Sequence, residues 1–532
     1  MYRYSGEKMP VSGLAKNVGI LLEEATARYG SKTAIHFIEE DLSFTYAELN
    51  RQINRYANML QGKGIRQGDH VALMLPNCPD YPLTWLALAK LGAVAVPLNI
   101  AYQAQDMEYV LDNSDACALV IHSDYLPVFN KIAEKTPAIR NVFLSGEPGA
   151  SEGQLLSKLA KTASDDFTPL EVALDDILNI QYTSGTTGFP KGCLLTHEYW
   201  LIFGQSAAKQ MTMTEADVFL GVAPFYYIDT QWELMMCISA GGAMVVGKKY
   251  SASNFMKWIR KYGVTICFAT MAAWTFKQPE SPLDRQHKLK FMMFGQFPHE
   301  LQRLFEERFK VPLRAGYGMT ESGPATAISI EDAKMSGSGS VGQLSELREA
   351  RIVDDMGNDV PQGEIGELLL KGPGMMTGYY KNPKATAETL VDGWLYTGDL
   401  FRVDEGGYYY IVGRKKEMIK RSGENISANE VENILKSHPK VANAAVVAVP
   451  DESRNEEVKA YIVPLEGETP ETITPEEIIE FCKGKIAEFK IPRYIKYRKT
   501  FPLTSVGKVI KRELTTDQDN LTGNCYDRMK VI

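Results

Sequence analysis

Apolar positions along the first third of this chain follow two rhythms. In VGILLEEATARYG (18–30) and SFTYAELNRQINRYANMLQGKG (43–64) they recur three and four residues apart, the spacing of a helix with one buried face, and Thr45 stands where an N-cap belongs. HVALMLPN (70–77), AVAVPLNI (93–100) and CALVIHS (117–123) are short apolar runs, the pattern of strands buried on both faces, with the helix YPLTWLALAKLG (81–92) between the first two. Strands alternating with helices predict an α/β fold with largely parallel sheets. A second α/β stretch runs from ILNIQY (177–182), with LLTHEYWLIFGQ (194–205) as its first helix, through VTICFAT (264–270) and LKFMMFG (289–295) to PLRAGYG (312–318).

Beyond that point the rhythm shortens. Residues 350–380 and 393–420 are brief strands broken by DDMGN, QGE and DEGG turns, which predicts a small β-rich unit. ANEVENILKSH, ANAAVVAVPD, VKAYIVPL and TPEEIIEFCKGKIAEF then read as helix, strand, strand and helix, a compact α+β domain. The predicted organisation is a large N-terminal domain (1–412) of two α/β subdomains plus a small β-rich subdomain, a connection at GRKK (413–416), and a small C-terminal α+β domain (417–532) with a polar tail after Leu514.

The totals exclude several classes. A chain of 532 residues is too long for one core, and its net charge of -8 disfavours nucleic acid or anionic lipid as a partner. The seven cysteines are scattered without a CxxC pair, which points to a reducing cytosol and against structural zinc. The best apolar run, PLTWLALAKLGAVAVPLNI, is broken by Lys90 and Pro97, so no membrane span is expected, and the N-terminus lacks the apolar core of a signal peptide. A soluble cytoplasmic protein is the expectation.

The chemistry begins with TSGTTGFPKG (183–192), a loop dense in glycine and hydroxyl groups with a single lysine, placed after the ILNIQY strand. Glycines let backbone N–H groups turn toward an anion, and hydroxyls add donors, so the loop is suited to phosphate. A Walker A loop requires G-x-x-x-x-G-K-[ST]; here Pro190 precedes Lys191 and Gly192 follows it, so that reading fails. Gly337-x-Gly339-x-x-Gly342 follows polar EDAKMS rather than a strand and reads as a turn, not a dinucleotide fingerprint.

Four further stretches complete a constellation: YGMTES (317–322), YTGDL (396–400), IVGRKKEMIKRSGENIS (411–427) and LTSVGKVIKREL (503–514). Singly, each reads as a surface turn or a solvated charge run. In this order, and over nearly the whole chain, they resemble the acyl-adenylate-forming superfamily, the AMP-forming acyl-CoA synthetases and their relatives. The resemblance implies that Thr183, Ser184, Gly185, Thr186, Thr187, Gly188 and Lys191 embrace the ATP phosphates. It places Thr320 at the α-phosphate, Glu321 at Mg²⁺, and Gly295, Gln296, Phe297, Gly316, Tyr317 and Gly318 around the adenine. Asp399 and Arg414 fall to the ribose, where an ionised carboxylate accepts both hydroxyls of a diol.

Lys508 matches the catalytic lysine that bridges the attacking carboxylate and the α-phosphate, Lys416 the hinge, and Ser422, Gly423 and Glu424 the loop that approaches with CoA. The resemblance implies two half-reactions, formation of acyl-AMP with release of pyrophosphate and then thioester formation, with the small domain mobile between them. Attack of one anion on another needs a cation where charge accumulates, which gives Lys508 its physical role.

The acid pocket falls to Tyr227, Asp229, Trp232, Trp274, Phe294 and Met319. Many relatives carry histidine where this chain has Tyr227, so the aromatic gate is altered. PFYYIDTQ is most similar to the carnitine and crotonobetaine CoA-ligase branch, and aromatic faces with the acids Asp229 and Glu233 suit a quaternary ammonium group. Against this, aromatics beside an apolar helix are commonly core, so a small or medium carboxylic acid is the broader description, a betaine-type acid the narrower. The alternative acceptor to CoA is a carrier-protein thiol. Partners are then the acid and CoA, with a homodimer left open.

Overall fold

The computed structural model describes residues 2–3, 13–146, 155–183, 190–269, 271–295, 297–422, 424–451, 453–503, 509–515 and 522–530. Four sheets organise them. The first runs Asn141–Ser145, Ala118–His122, His70–Met74, Val94–Pro97, Ile177–Thr183, Lys191–Thr196, parallel except for its last pair. The second, of nine strands, is parallel from Leu313–Met319 through Phe291–Phe294, Ile266–Phe268, Val218–Gly221 and Ala243–Val246 to Thr33–Phe37, with antiparallel edges. The expected α/β body is therefore present, and so is the β-rich unit, an antiparallel sheet built on Glu349–Val353, Gly366–Lys371, Trp394–Val403 and Tyr409–Arg414.

The helices Val18–Tyr29, Tyr46–Gly62, Asp80–Leu91, His197–Gln210 and Ile228–Ala240 share one core with strands of both large sheets, among them Val71 and Leu73 from the first and Ile35 and Val246 from the second. A helix lying between two sheets buries every face, which is why Asp80–Leu91 is apolar all round. Its one cation, Lys90, is fully buried and ion-paired to Glu23, with Asn50 and Asn54 accepting at 2.6 Å, so three helices are cross-linked where a bare charge would be intolerable. Thr45 caps Tyr46–Gly62 through a reciprocal box with Glu48, as its position predicted.

Two expectations are corrected. The Lys191–Thr196 segment is a strand, so the hydroxyl-rich loop joins two antiparallel strands and the following helix begins at His197 behind its Thr196 cap. The last predicted helix stops at Cys482, because Gly484 adopts φ +73 and the chain turns before a short 3₁₀ segment at Glu488–Lys490. The 337–342 glycines do form a turn: all three have positive φ, and a Cβ on Gly342 would fall 1.9 Å from the Ala327 carbonyl carbon.

The chain leaves the β-rich sheet at Arg414, makes one 3₁₀ turn at Lys415–Glu417, and enters the fourth sheet at Met418. That sheet, with the helices Ala428–Ser437 and Pro475–Cys482, has a core of its own.

Candidate active site

Thr183 and Lys191 face each other as Cα partners at the mouth of the hairpin, the Thr183 hydroxyl donating to the Lys191 carbonyl at 3.4 Å. Ser184, Gly185, Thr186, Thr187 and Gly188, which complete the loop, lie outside the described residues, as do Gln296, Gly423 and Lys508. The Lys191 ammonium sits 4.1 Å from the centre of the Tyr379 ring, and the Tyr379 hydroxyl donates to Glu321 Oε1 at 3.0 Å. One tyrosine thus joins the loop lysine to the acid of YGMTES. Burial, with the Glu321 carboxylate nearby, pushes the Tyr379 hydroxyl well above its ordinary pKa, so it acts as a fixed donor.

The strand Leu313–Met319 carries Gly316, Tyr317 and Gly318 to the same region. Its pairing shifts between Tyr317 and Gly318, and a Cβ on Gly318 would come within 2.8 Å of the Gly323 carbonyl, so close approach of the two strands requires glycine there. Tyr317 donates to Asp399 Oδ2 at 2.6 Å, and Arg414 Nε lies 3.1 Å from Asp399 Oδ1. Asp399 and Arg414 are Cα partners across adjacent strands, so the pair the resemblance assigned to the ribose is built by sheet register. Burial opposes the charge on Arg414, yet Asp399, Glu417, Tyr317 and Glu321 more than offset it and its pKa is raised.

Thr320 is held from behind: its carbonyl accepts from Tyr199 Oη at 3.1 Å, and Tyr199 Oη accepts from Trp232 Nε1 at 3.1 Å. Trp232 is further committed by stacking on Phe203, centroids 4.5 Å apart and planes 7° apart. Phe294 and Phe297 are buried, edge to face at 5.8 Å, while a Cβ on Gly295 would meet no atom within 4 Å. Met319 Sδ lies 3.7 Å from Tyr317 Oη.

Tyr227 is the N-cap residue of Ile228–Ala240, its hydroxyl accepting from Asn99 Nδ2 at 3.2 Å, and Asp229 occupies the first turn. Trp274 is 44% exposed on Ala272–Phe276 and sits 6.4 Å from the Tyr250 ring. Glu233, expected to supply negative charge, is fully buried, and burial, with Asp229 nearby, raises its pKa well above the ordinary value and favours its neutral form. Ser422 follows the strand Met418–Arg421 of the C-terminal hairpin, at φ +51 with its N–H donating to the Arg454 carbonyl, and Glu424 opens the partner strand Glu424–Ser427, paired with Arg421. Lys416 is exposed in the 3₁₀ turn.

Residues 22–380 match the family model of AMP-binding enzymes, and residues 430–508 match that of the AMP-binding enzyme C-terminal domain. The chain belongs to the AMP-binding enzyme family. Within that family it is 38% identical over 519 residues to a crotonobetaine/carnitine–CoA ligase of Salmonella paratyphi A, covering 94% of this chain and 99% of the relative. It is 39% identical over 508 residues to the ligase of the same name from Escherichia coli O8, covering 91% and 96%. Among solved structures, the anthranilate CoA ligase AuaEII in complex with anthranoyl-AMP aligns with a TM-score of 0.88 at 28% identity, over 95% of this chain and 98% of that one. ATP-bound MatB from Rhodopseudomonas palustris aligns with a TM-score of 0.84 at 27% identity, over 94% and 99%.

Tyr379 and Tyr199 were not singled out from the sequence. Tyr379 lies near the end of MMTGYY, 58 residues beyond Glu321, and Tyr199 lies 121 residues before Thr320; no spacing rule links either pair.

Proposed function

We propose that this enzyme activates a betaine-type carboxylic acid, within the broader class of small and medium acids, and that its ATP, acid and hinge residues take the roles the resemblance implies. The chain is an ATP-dependent, AMP-forming acid–CoA ligase: a carboxylate displaces pyrophosphate from ATP to give acyl-AMP, and the CoA thiol then displaces AMP. The observation that carries the reading is the convergence of Lys191, Tyr317, Asp399 and Arg414, from four strands in three sheets, with Glu321, from the turn after Leu313–Met319 and close enough to raise the Arg414 pKa.

The donor chemistry suits a nucleotide. Asp399 offers a fixed carboxylate for a diol, oriented by Tyr317 and Arg414. Among the described residues no cluster of three or more His, Cys, Asp or Glu could hold a metal, so Glu321 alone would hold Mg²⁺, the expected pattern for an ion otherwise held by phosphate and water. When bound, Mg²⁺ would neutralise charge on the departing phosphates. Glu321 is kept in place by Tyr379, and Thr320 by Tyr199.

Lys508 would bring the second cation, carried by the C-terminal unit. Support for a hinge at Lys416 comes from its neighbours. Lys415 pairs with Glu367 and Asp355 of the β-rich sheet, and Glu417 pairs with Lys511 of the C-terminal unit. Proposed domain limits are 1–412, 413–416 and 417–532. Among the described residues no helix is long and apolar enough to cross a membrane; the cytoplasm is the proposed compartment, supported by seven free cysteines, and a homodimer the proposed assembly, to be read by light scattering.

A panel of carboxylic acids, betaine-type acids included, assayed for pyrophosphate release with CoA or a holo-carrier protein as acceptor, tests the reading. Thioester formation with CoA and a betaine-type acid is expected; turnover only with a carrier protein, or only with acids lacking a cation, would overturn the corresponding part.

A further inference from the structure

Glu233 sits on Ile228–Ala240, four residues after Asp229, with 1% of its surface exposed, and its Oε2 has no hydrogen-bond partner among the described residues. A carboxyl retained only for structure would be satisfied by neighbouring donors, since a buried oxygen left unpaired is costly. The carboxyl packs against Gly221, where a Cβ would come within 2.7 Å of Glu233 Oε2 and 2.4 Å of Met244 Cε. Gly221 is the last residue of Val218–Gly221, at the carboxyl end of a parallel strand, where open α/β sheets place their ligands. Leu220 pairs with Cys267, so Phe268, half-buried and edge to face with Phe219, stands level with Gly221 on the neighbouring strand and packs into the same core as the helix.

We propose that the Glu233 carboxylate is the counter-ion of a quaternary ammonium group at the far end of the acyl substrate, with Phe268 beside it as an aromatic wall. The inference rests on the acid–CoA ligase reading above and narrows its substrate class. An ammonium bearing only methyl groups has no N–H to donate, so its partner must be an oxygen that no protein donor has claimed, together with an aromatic face. The charged and titratable groups around Glu233 are Asp229 and Cys237 on its own helix and Cys267 across the sheet; none supplies a positive charge. Burial without a positive neighbour therefore favours the neutral form of Glu233 before the cation enters. Entry of the cation ionises it, the proton passes to solvent, and one proton leaves for each cationic acid bound.

The test compares 4-(trimethylammonio)butanoate with its carbon isostere 5,5-dimethylhexanoate in the adenylation half-reaction, for the wild type and Glu233→Gln. The wild type should favour the cation, and the substitution should lower the ratio of kcat/KM values, cation over isostere, by roughly 10²-fold, as for breaking a buried charge pair. A wild type with no preference for the cation sinks the substrate reading. A wild-type preference that survives in Glu233→Gln sinks the role of Glu233 and leaves the reading standing. Titration calorimetry of the wild type with α,β-methylene-ATP, in buffers of different ionisation enthalpy, needs no variant: about one proton should be released with the cation and none with the isostere, by linkage. Equal release with both acids overturns the proposal.

Discussion

Lys415 and Glu417 flank a single residue and are tied to opposite bodies. The Lys415 ammonium lies 3.0 Å from Glu367 and 2.9 Å from Asp355 in the β-rich sheet, whereas Glu417 lies 2.8 Å from Lys511 of the C-terminal unit. With Lys416 as the proposed hinge, rotation of one unit against the other would concentrate in its backbone. Proline there fixes φ near −65° and restricts the residue before it. Lys416→Pro should leave the KM for ATP within a few-fold of the wild type while slowing thioester formation from preformed acyl-AMP by roughly 10²-fold, the order seen when a catalytic geometry is misplaced. Separate assays of pyrophosphate exchange and thioester formation check this; equal losses in both would remove the hinge.

Lys511 lies between two carboxylates, 2.8 Å from both Glu417 and Glu432. Burial opposes its charge, but the two acids outweigh that and raise its pKa. It follows the proposed catalytic Lys508 by three residues in sequence and ties the start of the Lys511–Leu514 helix to Glu417 and Glu432. Lys508→Ala should cut adenylation by at least about 10²–10³, the loss typical of one preorganised donor, while thioester formation from acyl-AMP persists. Lys511→Met should cut adenylation by about 10-fold, near 1.4 kcal/mol, with Lys511→Arg restoring most of it. A Lys511→Met enzyme impaired equally in both half-reactions would point to a general loss of packing.

Asp399 is oriented from both sides, by Tyr317 at 2.6 Å and Arg414 at 3.1 Å. Asp399→Asn keeps the shape but turns one acceptor into a donor. The KM for ATP should rise about 10- to 100-fold, as expected for hydrogen bonds to a charged group. Tyr317→Phe should cost less, since Arg414 remains. Initial-rate kinetics with ATP varied decide it, an unchanged KM in Asp399→Asn being the contrary result.

The sequence and the structure agree most closely where chemistry is compressed into short motifs. Thr183, Lys191, Glu321, Asp399 and Arg414 were legible because each stands in a distinctive local string, and the register of the strands then brought Asp399 to Arg414. The strand at Lys191–Thr196 was not legible. In LLTHEYWLIF only the short polar break Thr196-His197-Glu198 separates two apolar stretches, too little for periodicity to divide them; the Thr196 cap marks where strand ends and helix begins. Ile228–Ala240 posed a related difficulty. A helix buried on all sides shows no polar face, so nothing in its pattern indicated that Trp232 stacks on Phe203 or that Glu233 is buried without a donor. Tyr379 was missed because the contact joining it to Lys191 and Glu321 is purely tertiary.

His197 gives a prediction about stability and acidity. It is fully buried, its Nδ1 accepts from the Val18 N–H at 3.2 Å, and a proton on that nitrogen would face a donor. Burial, opposed by Asp176, lowers its pKa to about 4 from the ordinary 6.5. The unfolded chain, whose histidine keeps the ordinary value, therefore binds the proton first as pH falls. The stability due to neutral His197 is complete above about pH 6.5, is lost progressively down to about pH 4, and changes no further below that. Within this window unfolding should take up about one proton at His197. His197→Asn can still accept from Val18 but does not titrate. All six tryptophans precede residue 413, so their fluorescence reports unfolding of the larger body. Urea midpoints measured from pH 4 to pH 7 should fall more steeply for the wild type than for His197→Asn; parallel curves would show that the histidine is not held neutral by the fold.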